Sequence, residues 1–462
     1  MSGARPWVTF VVAVAALIGA LFIPESRSAQ RADPRPNIVI ILSDDQSPES
    51  LPHQPAVMPY LQGQALDPQG EWVRFTNAFL NTPLCCPSRA SILTGRYSHE
   101  THVETNFDGH LFDDSSTVAT WLHDAGYTTG LVGKYLNGYP FGRAEYIPPG
   151  WDRWDGKEQG GGGSVYYDYT VLKQGFPVAY GGGPGDYGTD VYASLAVNFI
   201  RTAPTDKPFF LYFAPTAPHP PWTPPPRYEN TYASMSMPHL PDLNEPDVSD
   251  KPAWVRALPS LTPEELTGLD RARRLEYEAL LGVDDAVRNI LQALTARGEL
   301  ENTVIFYLTD NGFSFGEHRW VTKDCAYEEC IHTPFLVRFP GAVTRVDDHL
   351  VSNVDLAPTL AELADTQPGG PVSGRSIVPL LQGRPSPDWR SGVLLEWAGD
   401  DRIPPWWGVR TQDFLYVELD TGERELYDLR TDPFELVNVV NDPSYENTVT
   451  RLSAQLAALK AG

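Results

Sequence analysis

Four short apolar runs, each followed at once by polar residues, constrain this chain more than any other feature. Residues 37–42 (NIVIIL) lead into Ser43-Asp44-Asp45-Gln46, and residues 128–132 (TTGLV) lead into Gly133-Lys134. Residues 209–213 (FFLYF) precede the stretch holding His219, and residues 303–308 (TVIFYL) precede Thr309-Asp310-Asn311-Gly312. Continuous apolar runs fit strands covered on both faces. Helical patterns alternate with them. Leu275, Leu280, Leu281, Val287, Ile290, Leu291 and Leu294 recur at helical spacing over residues 272–297, and residues 117–125 read as a helix stopped by Gly126. The expected fold is α/β, with a large mixed, mostly parallel sheet flanked by helices. Ligands bind such sheets beyond the carboxyl ends of the strands. The four polar segments are therefore expected to meet on one rim.

Two segments interrupt the alternation. Residues 156–185, rich in Gly, Tyr and Asp, and the proline-dense residues 215–263 read as surface excursions that overhang a pocket. From about Ser391 the pattern changes to short alternating strands. Residues 414–417 and 425–428, separated by a turn at Asp420-Thr421-Gly422, predict an antiparallel hairpin, and residues 452–459 a terminal amphipathic helix. The chain thus divides into an export segment (1–29), a large catalytic domain (30–390) and a smaller C-terminal antiparallel subdomain (391–462).

The length of 462 residues fits this division. Residues 7–23 form an almost unbroken apolar run, followed by Pro24 and Ser26-Arg27-Ser28-Ala29. This reads as a secretory signal cleaved near Ser28 or Ala29, with an uncleaved anchor as the competing reading. The protein is expected to be secreted or periplasmic, with no membrane association once the signal is removed. A formal net charge of −24 argues against nucleic acid or an anionic membrane as partner. An anionic substrate would have to be met by local positive charge in a pocket. Four cysteines do not make a disulfide scaffold, although Cys325 and Cys330 lie close enough in sequence to pair after export.

Asp44, Asp45, Asp310 and Asn311 offer only oxygen donors, which suits Ca²⁺ or Mg²⁺ and suits Zn²⁺ poorly. Taken separately, the paired aspartates read equally well as a helix cap, and Asp-Asn-Gly as a turn.

The stretch Leu84-Cys85-Cys86-Pro87-Ser88-Arg89-Ala90-Ser91-Ile92-Leu93-Thr94-Gly95 contains C-x-P-S-R and then a short apolar run ending in Thr-Gly. A bare Cys-Cys would read as a buried pair before a helix. With the remaining residues at fixed spacing it resembles the signature of the type I sulfatases. Gly133-Lys134-Tyr135-Leu136-Asn137, the downstream Tyr146-Ile147-Pro148-Pro149-Gly150-Trp151, and Cys85-Cys86 itself are similar to the branch of that family holding the N-acetylglucosamine-6-sulfatases. The resemblance extends to Glu425-Leu426-Tyr427-Asp428-Leu429 and Asp432-Pro433.

The resemblance implies an alkaline-phosphatase-like fold and oxidation of Cys85 to formylglycine by a separate formylglycine-generating enzyme. The hydrate of that aldehyde is the family's nucleophile. It further implies Ca²⁺, with Mg²⁺ second, held by Asp44, Asp45, Asp310 and Asn311 together with the residue at Cys85. Arg89 would orient the formylglycine, while Lys134 and Lys323 would contact sulfate. A lone lysine is more often a solvated charge, so Lys323 rests on its place five residues after Gly316-Glu317-His318. Ala217-Pro218-His219-Pro220-Pro221 resembles the family's H-x-P turn, making His219 the expected general acid, with Lys323 as the alternative. His102 and His318 are weaker candidates for the pocket wall.

One departure matters. Many members have Gly-Lys-Trp-His where this chain has Gly133-Lys134-Tyr135-Leu136, and Leu136 cannot move a proton. That role would pass to Asn137, His102 or water. The expected activity is hydrolysis of a sulfate ester on a small sulfated carbohydrate, a 6-O-sulfate by resemblance, or of an aryl sulfate. Two rivals stand beside it. One is a phosphate or phosphonate ester hydrolase of the same superfamily. The other is an inactive carbohydrate-binding homologue, suggested by Trp154, Tyr166, Tyr167, Tyr169, Trp406 and Trp407.

Overall fold

The side chains of the first strand, Asn37–Ser43, divide between two cores: Ile38, Ile40 and Leu42 enter one, and Val39 and Ile41 the other. Burial on both faces explains why this run shows no polar alternation. The computed structural model describes residues 1–3, 33–53, 56–143, 145–159 and 165–461. The export segment expected at residues 1–29 lies outside them from residue 4 onward.

In chain order the strands of the main sheet are β1 (Asn37–Ser43), β2 (Trp72–Phe79), β3 (Thr128–Gly133), β4 (Arg153–Lys157), β5 (Tyr169–Lys173), β6 (Phe176–Tyr180), β7 (Phe209–Ala214) and β8 (Thr303–Thr309). A small hairpin of β9 (Ser314–Phe315) and β10 (Val321–Thr322) precedes the last two, β11 (Phe335–Arg338) and β12 (Arg345–Ser352). The ten strands lie in the order β12-β2-β11-β8-β1-β7-β3-β4-β5-β6. The central run from β8 to β4 is parallel, with Ile40 opposite both Phe306 and Tyr212. The carboxyl ends of β1, β3, β7 and β8 therefore open on the same side, as the sequence leads one to expect.

Helices cover both faces. The longest, Pro263–Arg297, starts earlier than the apolar periodicity implies. Thr262 Oγ1 accepts from Glu265 N, and Pro263 stands in the first turn, so local capping carries the helix through two polar turns before it reaches the core. A second sheet follows, built of β13 (Val393–Trp397), β14 (Trp406–Arg410), β15 (Phe414–Leu419) and β16 (Arg424–Asp428), all antiparallel. The helix Glu446–Ala461 packs on it through Val449, Leu452 and Leu456. Among the described residues, no helix is long and apolar enough to cross a membrane.

One expectation needs correcting. Residues 156–185 are not simply a surface excursion, because β4, β5 and β6 extend the main sheet at its edge. Trp154, Tyr166 and Tyr169 are buried by this extension, and Trp406 is buried in the second sheet; Tyr167 and Trp407 are half-buried. Four of these six aromatics are core residues, which weakens the feature behind the carbohydrate-binding alternative. Cys325 and Cys330 form a disulfide.

Candidate active site

The helix Cys85–Thr94 is buried at every residue and begins with Cys85 itself. Arg89 follows four residues later and so shares a helix face with Cys85. Gly95 closes the helix in the left-handed conformation, φ +72°. Packing thus fixes Cys85 at the mouth of a helix and Arg89 one turn beneath it.

The rim of the sheet supplies the rest. Asp44 and Asp45 follow β1, and Asp45 has a φ of +61°, uncommon for a residue with a side chain. Its main-chain N–H donates to Asp310 Oδ1 at 3.2 Å, which ties the end of β1 to the end of β8. The thiol of Cys85 lies 3.5 Å from Asp45 Oδ1 and 3.7 Å from Asp44 Oδ1. Lys323, brought in by the loop after β10, places its ammonium 2.9 Å from Cys85 Sγ and 2.7 and 2.9 Å from the Asp45 carboxylate oxygens.

Lys134 continues from β3 and donates to both oxygens of Asp44, at 2.9 and 2.8 Å. Gly133 before it has φ +107°, and a Cβ there would meet the Ala214 carbonyl at 2.1 Å, so only glycine lets the chain turn this lysine inward. Arg89 donates to Asp310 Oδ2 at 2.7 Å and to the Lys134 carbonyl at 2.9 Å, with Asp44 Oδ2 3.7 Å away. Three cations and three carboxylates therefore interlock around one thiol.

His219 faces the same centre from the loop after β7, its Nε2 3.5 Å from Asp45 Oδ2. Its Nδ1 is 2.7 Å from the Pro220 carbonyl. A carbonyl can only accept, so Nδ1 carries the hydrogen and Nε2 is the atom free to exchange a proton. The side chain is 32% exposed, whereas the carboxylates beneath are buried. The imidazole thus stands between the charged floor and solvent.

The electrostatics follow from this packing. Burial alone would raise Asp44 and Asp45. Lys134 and Arg89 around the first, and Lys323 and His219 around the second, outweigh it and hold both below the ordinary carboxylate range. Burial works against the charge of Lys134 and Lys323 too, but Asp44 beside the first and Asp45 beside the second hold both ammoniums charged. The Cys85 thiol is pushed far up by burial, and Lys134 and Lys323 offset this only in part. An unmodified Cys85 would be a protonated thiol and a poor nucleophile at neutral pH.

The donor set suits a hard cation. Asn311 Nδ2 donates to Asp45 Oδ1 at 2.7 Å and to the Gly312 carbonyl at 2.9 Å, which fixes the amide orientation. Asn311 Oδ1 is then buried with no hydrogen-bond partner among the described residues. Asp44, Asp45, Cys85 and His219 each bring one ligating atom within 4.8 Å of the others. Asp310 adjoins this group, its carboxylate also accepting from Arg89 and from the main-chain N–H groups of Asp45 and Asn311.

The remaining sequence candidates fall elsewhere. His102 is exposed at a helix end, and His318 is buried against Glu245. Leu136 is fully buried, and Asn137 is half-buried beside it. Sequence reasoning missed Lys157 at the end of β4, one strand out from Lys134. It is 5% exposed, and burial, with the charge of Lys134, brings its ammonium down to about 8. Its only sequence signal was a strand in a region read as loop.

Comparison with known proteins gives consistent findings. A sulfatase family model matches residues 36–366, and one for the N-sulphoglucosamine sulphohydrolase C-terminal region matches residues 316–462. The N-acetylglucosamine-6-sulfatase of Homo sapiens is 36% identical over 389 residues, covering 80% of this chain and 68% of that protein. The solved structure of BT4656 with its substrate D-glucosamine-2-N,6-O-disulfate superposes with a TM-score of 0.81 at 26% identity, covering 92% of this chain and 98% of that one. A phosphonate monoester hydrolase of Agrobacterium radiobacter reaches a TM-score of 0.75 at 22% identity, with 92% and 96% covered, which is a likeness of fold alone.

Proposed function

Because this chain belongs to the sulfatase family, we propose that it removes sulfate from a sulfated sugar, a 6-O-sulfate in the first place, using formylglycine at position 85 and a bound Ca²⁺. The observation that carries the reading is the placement of Cys85. It opens a buried helix 2.9 Å from Lys323 and beside Asp44 and Asp45.

Conversion of Cys85 to formylglycine would supply a hydrate with one hydroxyl to attack sulfur and a second to expel sulfate from the enzyme, a route that serine lacks. A Ca²⁺ held by Asp44, Asp45, Asp310 and Asn311 would supply positive charge to the nucleophile and to a sulfate oxygen. The chain's own residues do the remainder. Lys134 and Lys323 neutralise the transferring group, as electrostatic stabilisation of a developing charge requires. Arg89 fixes Asp310 and the Lys134 backbone, so the floor does not shift when substrate binds. His219 Nε2 gives its proton to the oxygen of the departing alcohol, while Nδ1 stays bonded to the Pro220 carbonyl. With Leu136 in the core, proton transfer during sulfate release falls to water or Asn137.

Export through the apolar segment at residues 7–23 fits both the maturation of Cys85 by a formylglycine-generating enzyme and an extracytoplasmic sugar substrate. Rates on a sulfate and a phosphate ester of the same sugar alcohol test the reading. It requires the sulfate ester to be strongly preferred, and preference for phosphate would move the chain to the ester-hydrolase alternative.

A further inference from the structure

A second set of buried ligating groups lies outside the catalytic machinery. His318 stands in the turn between β9 and β10, Glu329 on the short helix Glu328–Ile331, and Glu435 beyond β16. One ligating atom from each lies within 4.8 Å of the other two. The main-chain carbonyl of Asp242, in the proline-dense segment, accepts from His318 N at 2.8 Å.

Hydrogen bonding does not satisfy this cluster. His318 Nδ1 lies 2.7 Å from Glu245 Oε2, so Nδ1–H donates there and Nε2 keeps a lone pair. Among the described residues that Nε2 has no hydrogen-bond partner, and neither do Glu329 Oε2, Glu435 Oε1 or Asp242 Oδ1, all of them buried atoms. His318 and Glu435 are each 1% exposed and Asp242 is 2% exposed. The neighbouring cations are committed. Lys251 holds the Glu435 carbonyl at 2.5 Å and Glu245 at 3.4 Å, and Arg273 holds Glu317 at 2.5 Å and Glu49 at 3.2 Å. Burial, with the charge of neighbouring carboxylates, pushes Glu329 and Glu435 well above the ordinary carboxylate range.

We propose that His318, Glu329 and Glu435 bind a divalent cation of mixed nitrogen and oxygen preference, Zn²⁺ above all, at a site separate from the Cys85 centre. An imidazole donor is out of place around Ca²⁺ or Mg²⁺ but usual for Zn²⁺, which also takes carboxylate oxygens. A metal-bound histidine almost always donates its other N–H to a carboxylate, and Glu245 does this for His318. The ion would join the turn that carries His318, the helix Glu328–Ile331 and the segment beyond β16, with Glu245 of the proline-dense segment held through His318. Its role is structural, since the unpartnered ligating atoms are buried away from solvent.

The test uses the full chain carrying Asp45→Asn, which weakens cation binding at the Cys85 centre. Protein stripped by a chelator is equilibrated with Zn²⁺, desalted and analysed for metal. About one zinc per chain is expected, falling to background with His318→Gln. Glu245→Gln keeps every ligand and should lower zinc affinity about 10–100-fold, the usual effect of removing such a partner. In case those variants fail to fold, Co²⁺ loaded into the Asp45→Asn protein should give a visible absorption band that excess Zn²⁺ abolishes. No retained zinc and no cobalt band, or equal zinc in the His318→Gln protein, would overturn the proposal and leave a buried water among protonated carboxyl groups as the occupant.

Discussion

Lys323 touches both the reacting residue and a residue of the acidic floor: its ammonium is 2.9 Å from Cys85 Sγ and 2.7 Å from Asp45 Oδ1. One cation thus couples the nucleophile position to the carboxylate beside it. Lys323→Met should lower kcat by about 10²–10³, the effect of removing one preorganised charge from a transition state. Retention of most of the wild-type kcat, with position 85 matched in its modification, would remove Lys323 from the reacting atoms.

The orphaned Asn311 Oδ1 leads to a prediction about metal. Thorough chelation should abolish turnover, with Ca²⁺ and less well Mg²⁺ restoring it and Zn²⁺ failing to do so. Asn311→Leu removes one neutral ligand and leaves the carboxylates in place. It should raise the Ca²⁺ needed for half-maximal activity by about tenfold or more, since such sites are tuned by ligand number. An unchanged Ca²⁺ requirement would take Asn311 out of the ligand set.

His219 offers only Nε2 for proton transfer, because Nδ1 is held by the Pro220 carbonyl. His219→Ala should slow esters of sugar alcohols by about 10²–10⁴, the usual range of general acid catalysis. It should slow nitrophenyl sulfate far less, since that leaving group hardly needs a proton. Equal loss of kcat on both esters would place the acid elsewhere, and a rise in KM alone would mean a binding contact.

Glu276 tests the electrostatics of the helix behind the site. It accepts from Ser47 N at 2.7 Å and Ser47 Oγ at 2.9 Å, two residues past Asp45, and burial, with the charge of Glu49, raises it from 4.5 to about 8. A group raised in the folded state adds stability that is fully present below the unfolded value, near pH 4.5, and is lost as pH climbs through about 8. Glu276→Gln cannot ionise, so its urea midpoint should vary less between pH 5 and 8 than that of the wild type. Parallel pH profiles for the two proteins would contradict the assignment.

Some of this site was legible in the sequence because strand ends concentrate function. Asp44, Lys134 and Asp310 each follow an apolar run, and a parallel sheet brings such ends together whatever the loops do. Lys323 was legible only through its context, since the strand that leads into it, β10, is two residues long and shows no period. β4 to β6 were not legible, because Trp154, Tyr166 and Tyr169 are scattered among glycines and aspartates that hide the strand period. The start of the Pro263–Arg297 helix was obscured for a different reason. Capping decides it, and its first turns bury nothing. The His318 cluster brings Glu435 to His318 and Glu329 from more than a hundred residues away with no ligand spacing, so only the folded chain assembles it.

The most direct measurement concerns Cys85. Peptide mass spectrometry across residues 85–95, paired with activity on a 6-sulfated sugar, should show an aldehyde in place of the thiol and a turnover proportional to the converted fraction. Cys85→Ala should be inactive yet folded, while Cys86→Ser, at a buried position whose thiol burial raises to about 12, should keep measurable activity. Full turnover by protein carrying only the thiol at position 85, or by Cys85→Ala, would contradict the account.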